Sequence, residues 1–144
     1  MISYQTGDIF QSGCQTLGNP VNLWGVMGKG LAAEFKRRYP AMAQEWAWFC
    51  RYPPPRMGTL HLHTDTTPWV LNIPTKNHWK DPSRVEYIDA ALNRLTAVYQ
   101  DWGIKSLALP KLGCGEGGLD WEREVRPVVE AWLLDSPLWV EVYV

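Results

Sequence analysis

The chain has 144 residues, 46% hydrophobic and 20% charged, with a formal net charge of -1. That suffices for one globular domain, expected to span residues 1–144. The near balance of charge excludes a protein held to nucleic acid by bulk charge alone, although a local basic patch stays open. The N-terminus has no basic stretch leading into an apolar run, and no segment approaches the roughly 18 apolar residues of a membrane span. The three cysteines, Cys14, Cys50 and Cys114, are widely spaced. They fit neither a disulfide framework nor a zinc motif and suit a reducing cytoplasm. The nine tryptophans are expected mostly in the core or in groove walls.

"ISYQTGDIF" begins as a short strand and breaks at Gly7-Asp8. "CQTLGNPVNLW" reads as a second strand weakened by Gly18 and Pro20. Leu31, Phe35 and Tyr39 lie four apart, predicting a helix over 30–39 whose other side carries Lys36, Arg37 and Arg38. Pro40 is placed to open a second helix with Met42, Trp46 and Phe49 inward. "RYPPPR", 51–56, is expected to be a stiff surface loop. "GTLHLHTD" and "PWVLNIPT" are strand-like. In "DPSRVEYIDAALNRLTAVYQDWG" the stripe Val85, Ile88, Leu92, Leu95 and Tyr99 predicts a helix, with Gly103 as its stop. "IKSLALP" is a buried strand. "LDWEREVRPVVEAWLL" reads as a helix with Asp120 near its start, where Pro127 marks either a kink or the true beginning. "LWVEVYV" is a terminal strand. Strands alternating with helices indicate an α/β sheet covered on both faces, with ligands at the carboxyl ends of its strands.

Two glycine-rich loops fall at such ends: "GVMGKG", 25–30, and "PKLGCGEGG", 110–118. Glycine brings bare amides close to an anion, and a following helix adds its dipole. An ordinary turn needing positive φ would use glycine equally; two such loops in one domain favour a diphosphate. Neither is a P-loop, and neither carries the dinucleotide fingerprint.

"TGDIF", "VNLWGVMGKGLAAEFKRRYP", "NIPTKNHWKDPSRVEYIDAAL" and "LALPKLGCGEGGLDWE" occur in an order that resembles the macrodomain family over nearly the whole chain. The resemblance is strongest to the subgroup of DarG-type antitoxins, related to the terminal ADP-ribose glycohydrolase branch. It implies a three-layer α/β/α fold on a central mixed sheet and a pocket for ADP-ribose. Asp8 would accept from the adenine amino group beside the Ile9 amide, and Asn22 would meet the distal ribose. Val26, Met27, Gly28, Lys29 and Gly30 of the first loop would wrap the diphosphate and distal ribose. Leu112, Gly113, Cys114, Gly115, Glu116 and Gly117 of the second would complete the wrapping.

The same residues have plainer uses. Asp8 could serve a turn, Asn22 could bond backbone at a strand end, and Lys29 could be a solvated charge. Cys114 has no histidine beside it in sequence, which argues against a nucleophile.

In the glycohydrolase branch a lysine just after a strand-terminal threonine performs the chemistry, and Lys76 occupies that position, with Lys80 as the substitute. Such a lysine could attack the anomeric carbon as an amine or, protonated, assist the departing base. An aspartate partner follows "GCG" elsewhere in that branch. Here Glu116 and Asp120 flank the place, so the acid partner stays open.

His78, Trp79 and Lys80 are candidates for DNA contact, the indole by stacking on a base. Lys36, Arg37 and Arg38 would join them only if they lay at the pocket mouth. His61 and His63 share a strand face, but the sequence shows no third ligand, and no metal or cofactor is expected.

The implied activity is an ADP-ribosyl glycohydrolase that removes ADP-ribose from a thymine of single-stranded DNA and reverses a DarT-type toxin. The alternatives are hydrolysis of another linkage (a carboxylate ester or O-acetyl-ADP-ribose), a non-catalytic reader of ADP-ribose, or an antitoxin that blocks its toxin physically. A monomer is expected.

Overall fold

The computed structural model describes residues 1–51 and 53–144. Along the chain run β1 (Ile2–Gln5), β2 (Thr16–Asn22), α1 (Gly30–Arg38), α2 (Pro40–Phe49), β3 (His61–His63), β4 (Trp69–Lys76), α3 (Val85–Val98), β5 (Ser106–Leu109), α4 (Arg126–Leu133) and β6 (Trp139–Tyr143). A 3-10 turn at Ile9–Gln11 follows β1, and a π turn at Trp121–Val125 precedes α4. Of the stiff loop expected at 51–56, Tyr52 lies outside the described residues, and the rest is neither helix nor strand. No helix among the described residues is long and apolar enough to cross a membrane.

The six strands form one mixed sheet in the order β1-β6-β5-β2-β4-β3. All pairs are parallel except β3 with β4. Alternate side chains of a strand face opposite ways, so each strand feeds two cores. In β5, Leu107 and Leu109 join Ile88, Leu92 and Leu95 of α3 and Val129 and Leu133 of α4. Ala108 between them joins Phe35 of α1 and Met42 and Trp46 of α2. Two helical layers therefore sandwich the sheet. Gly18 is explained here: a Cβ on it would stand 2.8 Å from Leu109 Cδ2, so the strand gives up a side chain to let the core close.

One expectation needs correction. Phe49 does not face inward; it is 44% exposed and stacks on Trp46, 5.6 Å between centroids. It is the last residue of α2, and its ring lies 5.5 Å from that of His61 on β3, the edge strand of the sheet. The tryptophans divide: Trp46 is fully buried, Trp102, Trp121 and Trp132 pack partly buried against the core, and Trp79 lines the main cleft, whereas Trp24, Trp48 and Trp139 stand exposed. Of the two readings of Pro127, the true beginning holds. Pro127 sits in the first turn of α4, and Trp121–Val125, just before that helix, form the π turn. There the Val125 amide reaches back to the Asp120 carbonyl (3.2 Å). A proline lacking its N–H fits the first turn of a helix but not its interior.

β2 carries the fold's organising irregularity. Its ladder to β5 involves only Thr16 and Leu17, while its ladder to β4 continues to Asn22. Beyond Leu17, β2 and β5 diverge, and Pro20 sits where a missing N–H is tolerated. The chain leaves β2 toward α1 on one face, and leaves β5 toward α4 on the other. Such a switch point opens a crevice at the carboxyl ends of the strands.

Candidate active site

A cleft of about 1040 Å³ occupies that crevice. Its floor is Pro20, Val21, Asn22 and Thr75, and its walls are the two glycine-rich loops. A shallower cleft of about 520 Å³, lined by the Met57–Leu60 turn, α3 and Trp102, has neither glycine-rich loop nor helix N-terminus.

The first loop, residues 23–29, is held by Asn22. Its Oδ1 accepts from the amides of Trp24 (3.0 Å) and Val26 (3.2 Å), and its Nδ2 donates to the Val26 carbonyl (2.7 Å). The strand-end use of this asparagine is therefore real, and one amide hydrogen is left over for a ligand. The loop delivers the chain to α1, which starts with no side-chain cap and no acidic residue in its first turn. Among the described residues, the amides of Gly28 through Ala32 donate to nothing, and all five residues line the cleft. An uncapped helix start facing a cavity is an anion site by construction.

The second loop, residues 110–120, is folded on itself. Cys114 N donates to Lys111 O (3.1 Å), Gly118 N to Gly115 O (3.2 Å) and Leu119 N to Gly113 O (3.0 Å). Ser83, just before α3, donates its amide to Gly117 O (3.0 Å). Among the described residues the amides of Gly115, Glu116 and Gly117 have no acceptor.

The glycines divide by reason. Gly30 and Gly113 have φ of +58° and +74°, which the backbone requires. Gly117 is demanded by packing, because a Cβ there would lie 2.2 Å from Ser83 Oγ and 2.4 Å from Gly113 O. The Gly117→Ala variant is accordingly expected to lose about 1–3 kcal/mol, since the carbonyl cannot rotate away. Thermal unfolding beside Gly115→Ala, which should melt like wild type, checks this. Gly28 and Gly115 fit neither class. Their φ is not positive, and a Cβ on Gly115 would meet nothing within 4 Å; on Gly28 it would meet only Val26 Cγ1 at 3.8 Å.

Lys76 ends β4. The ladder slips between Val21 paired with Pro74 and Asn22 paired with Lys76, leaving Thr75 as the extra residue. Such bulges re-aim a side chain at the end of a strand. The Lys76 Nζ lies 3.4 Å from the Trp79 carbonyl and lines the cleft. Lys80 Nζ sits 4.9 Å above the Trp79 ring. The cleft thus holds Lys29, Lys76, Lys80 and Lys111 against Asp8 and Glu116, a cationic bowl in a chain of net charge -1.

Asp8 lines the cleft and also caps the 3-10 turn, accepting from Phe10 N at 2.9 Å. Ile9 is buried beside it and reaches the lining. Of the two candidate acids, Asp120 is spent on a reciprocal cap: it accepts from Arg123 N (2.8 Å), and its own amide donates to Glu124 Oε2 (2.8 Å). Glu116 is the one that lines the cleft. Burial pushes the Cys114 thiol up to about 11, so at neutral pH it is protonated and a poor nucleophile.

Several expected site residues lie elsewhere. Met27 and Leu112 face the core rather than the cleft, each next to loop residues that do line it. His78, expected as a DNA contact, does not line the cleft; it packs between Trp24 and Trp79 at its edge. Arg37 and Arg38 belong to the last turn of α1, the end away from the cleft, and both bind Glu34, whose carboxyl they hold at about 2. The missed walls include Lys111, Thr75, Pro20 and Tyr143; Tyr143 arrives from the far end of the chain on β6 and donates its hydroxyl to Glu141 (3.2 Å). Folding also brings a carboxylate to His61 and His63 that the sequence pattern did not show. Glu45 of α2 lies 2.9 Å from His61 Nε2 and 3.1 Å from His63 Nδ1, and Glu45, His63 and Asp65 bring donor atoms within 4.8 Å of one another.

Residues 19–128 match the Macro domain family. The DNA ADP-ribosyl glycohydrolase of Mycobacterium tuberculosis is 41% identical over 136 residues, which are 92% of this chain and 39% of that protein. The chain thus spans about two fifths of the length of that curated relative and of its Thermus aquaticus counterpart. The solved macrodomain of Mycobacterium tuberculosis DarG superposes with a TM-score of 0.90 at 39% identity, over 99% of this chain and 97% of that one. Thermosipho africanus DarTG, solved in complex with ADP-ribose, superposes with a TM-score of 0.92 at 36% identity, over 99% of this chain and 41% of that one. With the three-layer fold and the paired glycine-rich loops at its switch point, the chain belongs to the macrodomain family.

Proposed function

We propose that the cleft binds ADP-ribose and that the protein hydrolyses it from a thymine of single-stranded DNA, reversing a DarT-type toxin. The observation that carries the reading is the pair Gly28 and Gly115, whose missing side chains are required by neither backbone nor packing. What they keep open is the cleft itself, beside unpartnered amides and four lysines. A diphosphate suits that environment. The relatives named above as DNA ADP-ribosyl glycohydrolases, and the ADP-ribose complex of DarTG, support the same ligand and reaction.

In this reading Asp8 and the Ile9 amide take the adenine end, and the first-turn amides of α1 and those of 115–117 hold the diphosphate. The distal ribose then lies toward Lys76. The bond from its anomeric carbon to the base breaks. Lys76 gives a proton to the departing base, and Glu116 is the carboxylate available to take one from the attacking water. A thymine inside a duplex could not reach Lys76, so an open strand is the sensible substrate.

The test is release of ADP-ribose from a single-stranded oligonucleotide modified on thymine, compared with a peptide carrying the same group on a carboxylate. Release from the DNA supports the reading. Release only from the peptide moves the protein to another linkage, and tight ADP-ribose binding without release from either makes it a reader.

A further inference from the structure

Beyond the cleft, the first loop and the segment after β4 are laced together. Leu23 N donates to the carbonyls of both Lys76 (3.2 Å) and Asn77 (3.1 Å). The lacing lines up three rings. His78 stacks on Trp79, with centroids 5.2 Å apart and planes at 27°, and meets Trp24 edge-on at 4.7 Å. His78 is fixed from below: its Nδ1 accepts from Lys80 N at 3.0 Å. Trp79 lines the cleft, while Trp24 stands outside it. The ledge therefore begins beside Lys76 and runs outward.

Both indoles are costly where they are. Trp24 is 62% exposed and Trp79 43%. Neither is needed by the core, and a large exposed apolar group at a cleft mouth marks a binding surface. The charges along the ledge are Lys76 and Lys80, with Asp81 at the turn that follows. Flat aromatic faces interleaved with cations are the physical pattern of single-strand nucleic-acid binding, where successive bases stack and phosphates meet ammonium groups. ADP-ribose would fill the cleft; the ledge lies on the side where whatever carries the ADP-ribose must emerge.

We propose that Trp24 stacks a nucleobase neighbouring the modified one, so that the ledge selects a polynucleotide over a single modified nucleoside. This rests on the glycohydrolase reading above and assigns the substrate contact outside the ADP-ribose pocket. Trp24 also covers one side of His78, so the neighbouring base meets a platform already assembled in the free protein.

The experiment compares wild type, Trp24→Ala and Trp24→Phe on two substrates: a single-stranded oligothymidylate bearing ADP-ribose on one base, and ADP-ribosylated thymidine. Loss of one stacked base corresponds to roughly 5- to 150-fold. Trp24→Ala is expected to lose about tenfold or more in kcat/KM on the oligonucleotide, to keep its rate on the nucleoside, and to bind ADP-ribose as wild type does. Trp24→Phe should recover most of the loss. Equal preference of wild type for both substrates, or an undiminished oligonucleotide rate in Trp24→Ala, overturns the ledge while leaving the hydrolase reading intact. If wild type releases ADP-ribose from neither, the hydrolase reading fails, and the ledge is judged by binding of unmodified oligothymidylate in the presence of ADP-ribose. Weaker binding by Trp24→Ala then upholds it, and unchanged binding overturns it.

Discussion

Lys76→Ala is expected to slow release of ADP-ribose from single-stranded DNA by about 10²- to 10⁴-fold, the range typical of a lost general acid or base. ADP-ribose affinity should stay nearly unchanged, because the diphosphate is held by amides of the two loops rather than by this side chain. The split follows from placement. Lys76 sits at the end of β4, aimed by the bulge at Thr75, with its ammonium resting 3.4 Å from the Trp79 carbonyl. That carbonyl gives the side chain a parked position without neutralising it. Lys80, by contrast, has its ammonium over the Trp79 ring, where an added charge steers phosphate and stiffens the ledge. Lys80→Ala should therefore raise KM more than it lowers kcat. Single-turnover kinetics with calorimetric ADP-ribose binding separate the two. If Lys80→Ala loses turnover and Lys76→Ala does not, the reactive lysine has been misplaced by four positions. If Lys76→Ala loses binding along with turnover, it is a phosphate ligand rather than the reacting group.

The parts of the site legible in the sequence were those made by contiguous chain. Both glycine-rich loops, the lysine after Thr75 and the helix that starts at Gly30 were visible because a loop and the helix after it share one stretch of residues. What the sequence hid was made by pairing distant strands. Tyr143 reaches the cleft because β6 lies on one side of the switch point, beside β5 and the second loop. Glu45 meets His61 and His63 because α2 packs over β3. The same limit applied within the loops. Met27 and Leu112 are embedded in cleft-forming segments, yet both turn inward, since a loop that bares its amides on one side must anchor itself on the other. Asp120 and Glu116 looked equivalent four residues apart, and only the reciprocal cap with Glu124 shows that one is already occupied. Helical spacing did separate Trp46, fully buried, from Trp48, exposed two residues on along α2, but it failed at Phe49, the helix's last residue.

Gly115→Glu is expected to abolish measurable ADP-ribose binding while leaving the fold untouched. The second half of that statement makes the first interpretable. A Cβ at Gly115 meets no protein atom within 4 Å and requires no forbidden backbone angle, so the stability change should stay within about 0.5 kcal/mol, as for surface substitutions. A carboxylate placed at about 5 Å from a phosphate oxygen, with an effective dielectric near 20, costs about 3 kcal/mol for each unit of like charge. That alone weakens binding more than ~100-fold. Steric loss of the bare amides at 115–117 adds to it. Gly115→Gln separates the two causes, keeping the bulk and dropping the charge, and should fall between wild type and Gly115→Glu. Calorimetry on all three, with thermal unfolding alongside, gives the answer. A Gly115→Glu protein that melts like wild type and binds ADP-ribose equally well would mean that the diphosphate does not pass between these loops. The openness at Gly28 and Gly115 would then need another occupant. An equal loss in Gly115→Gln and Gly115→Glu would locate the effect in shape rather than charge, and would reduce the lysines around the cleft to attracting the ligand rather than holding it.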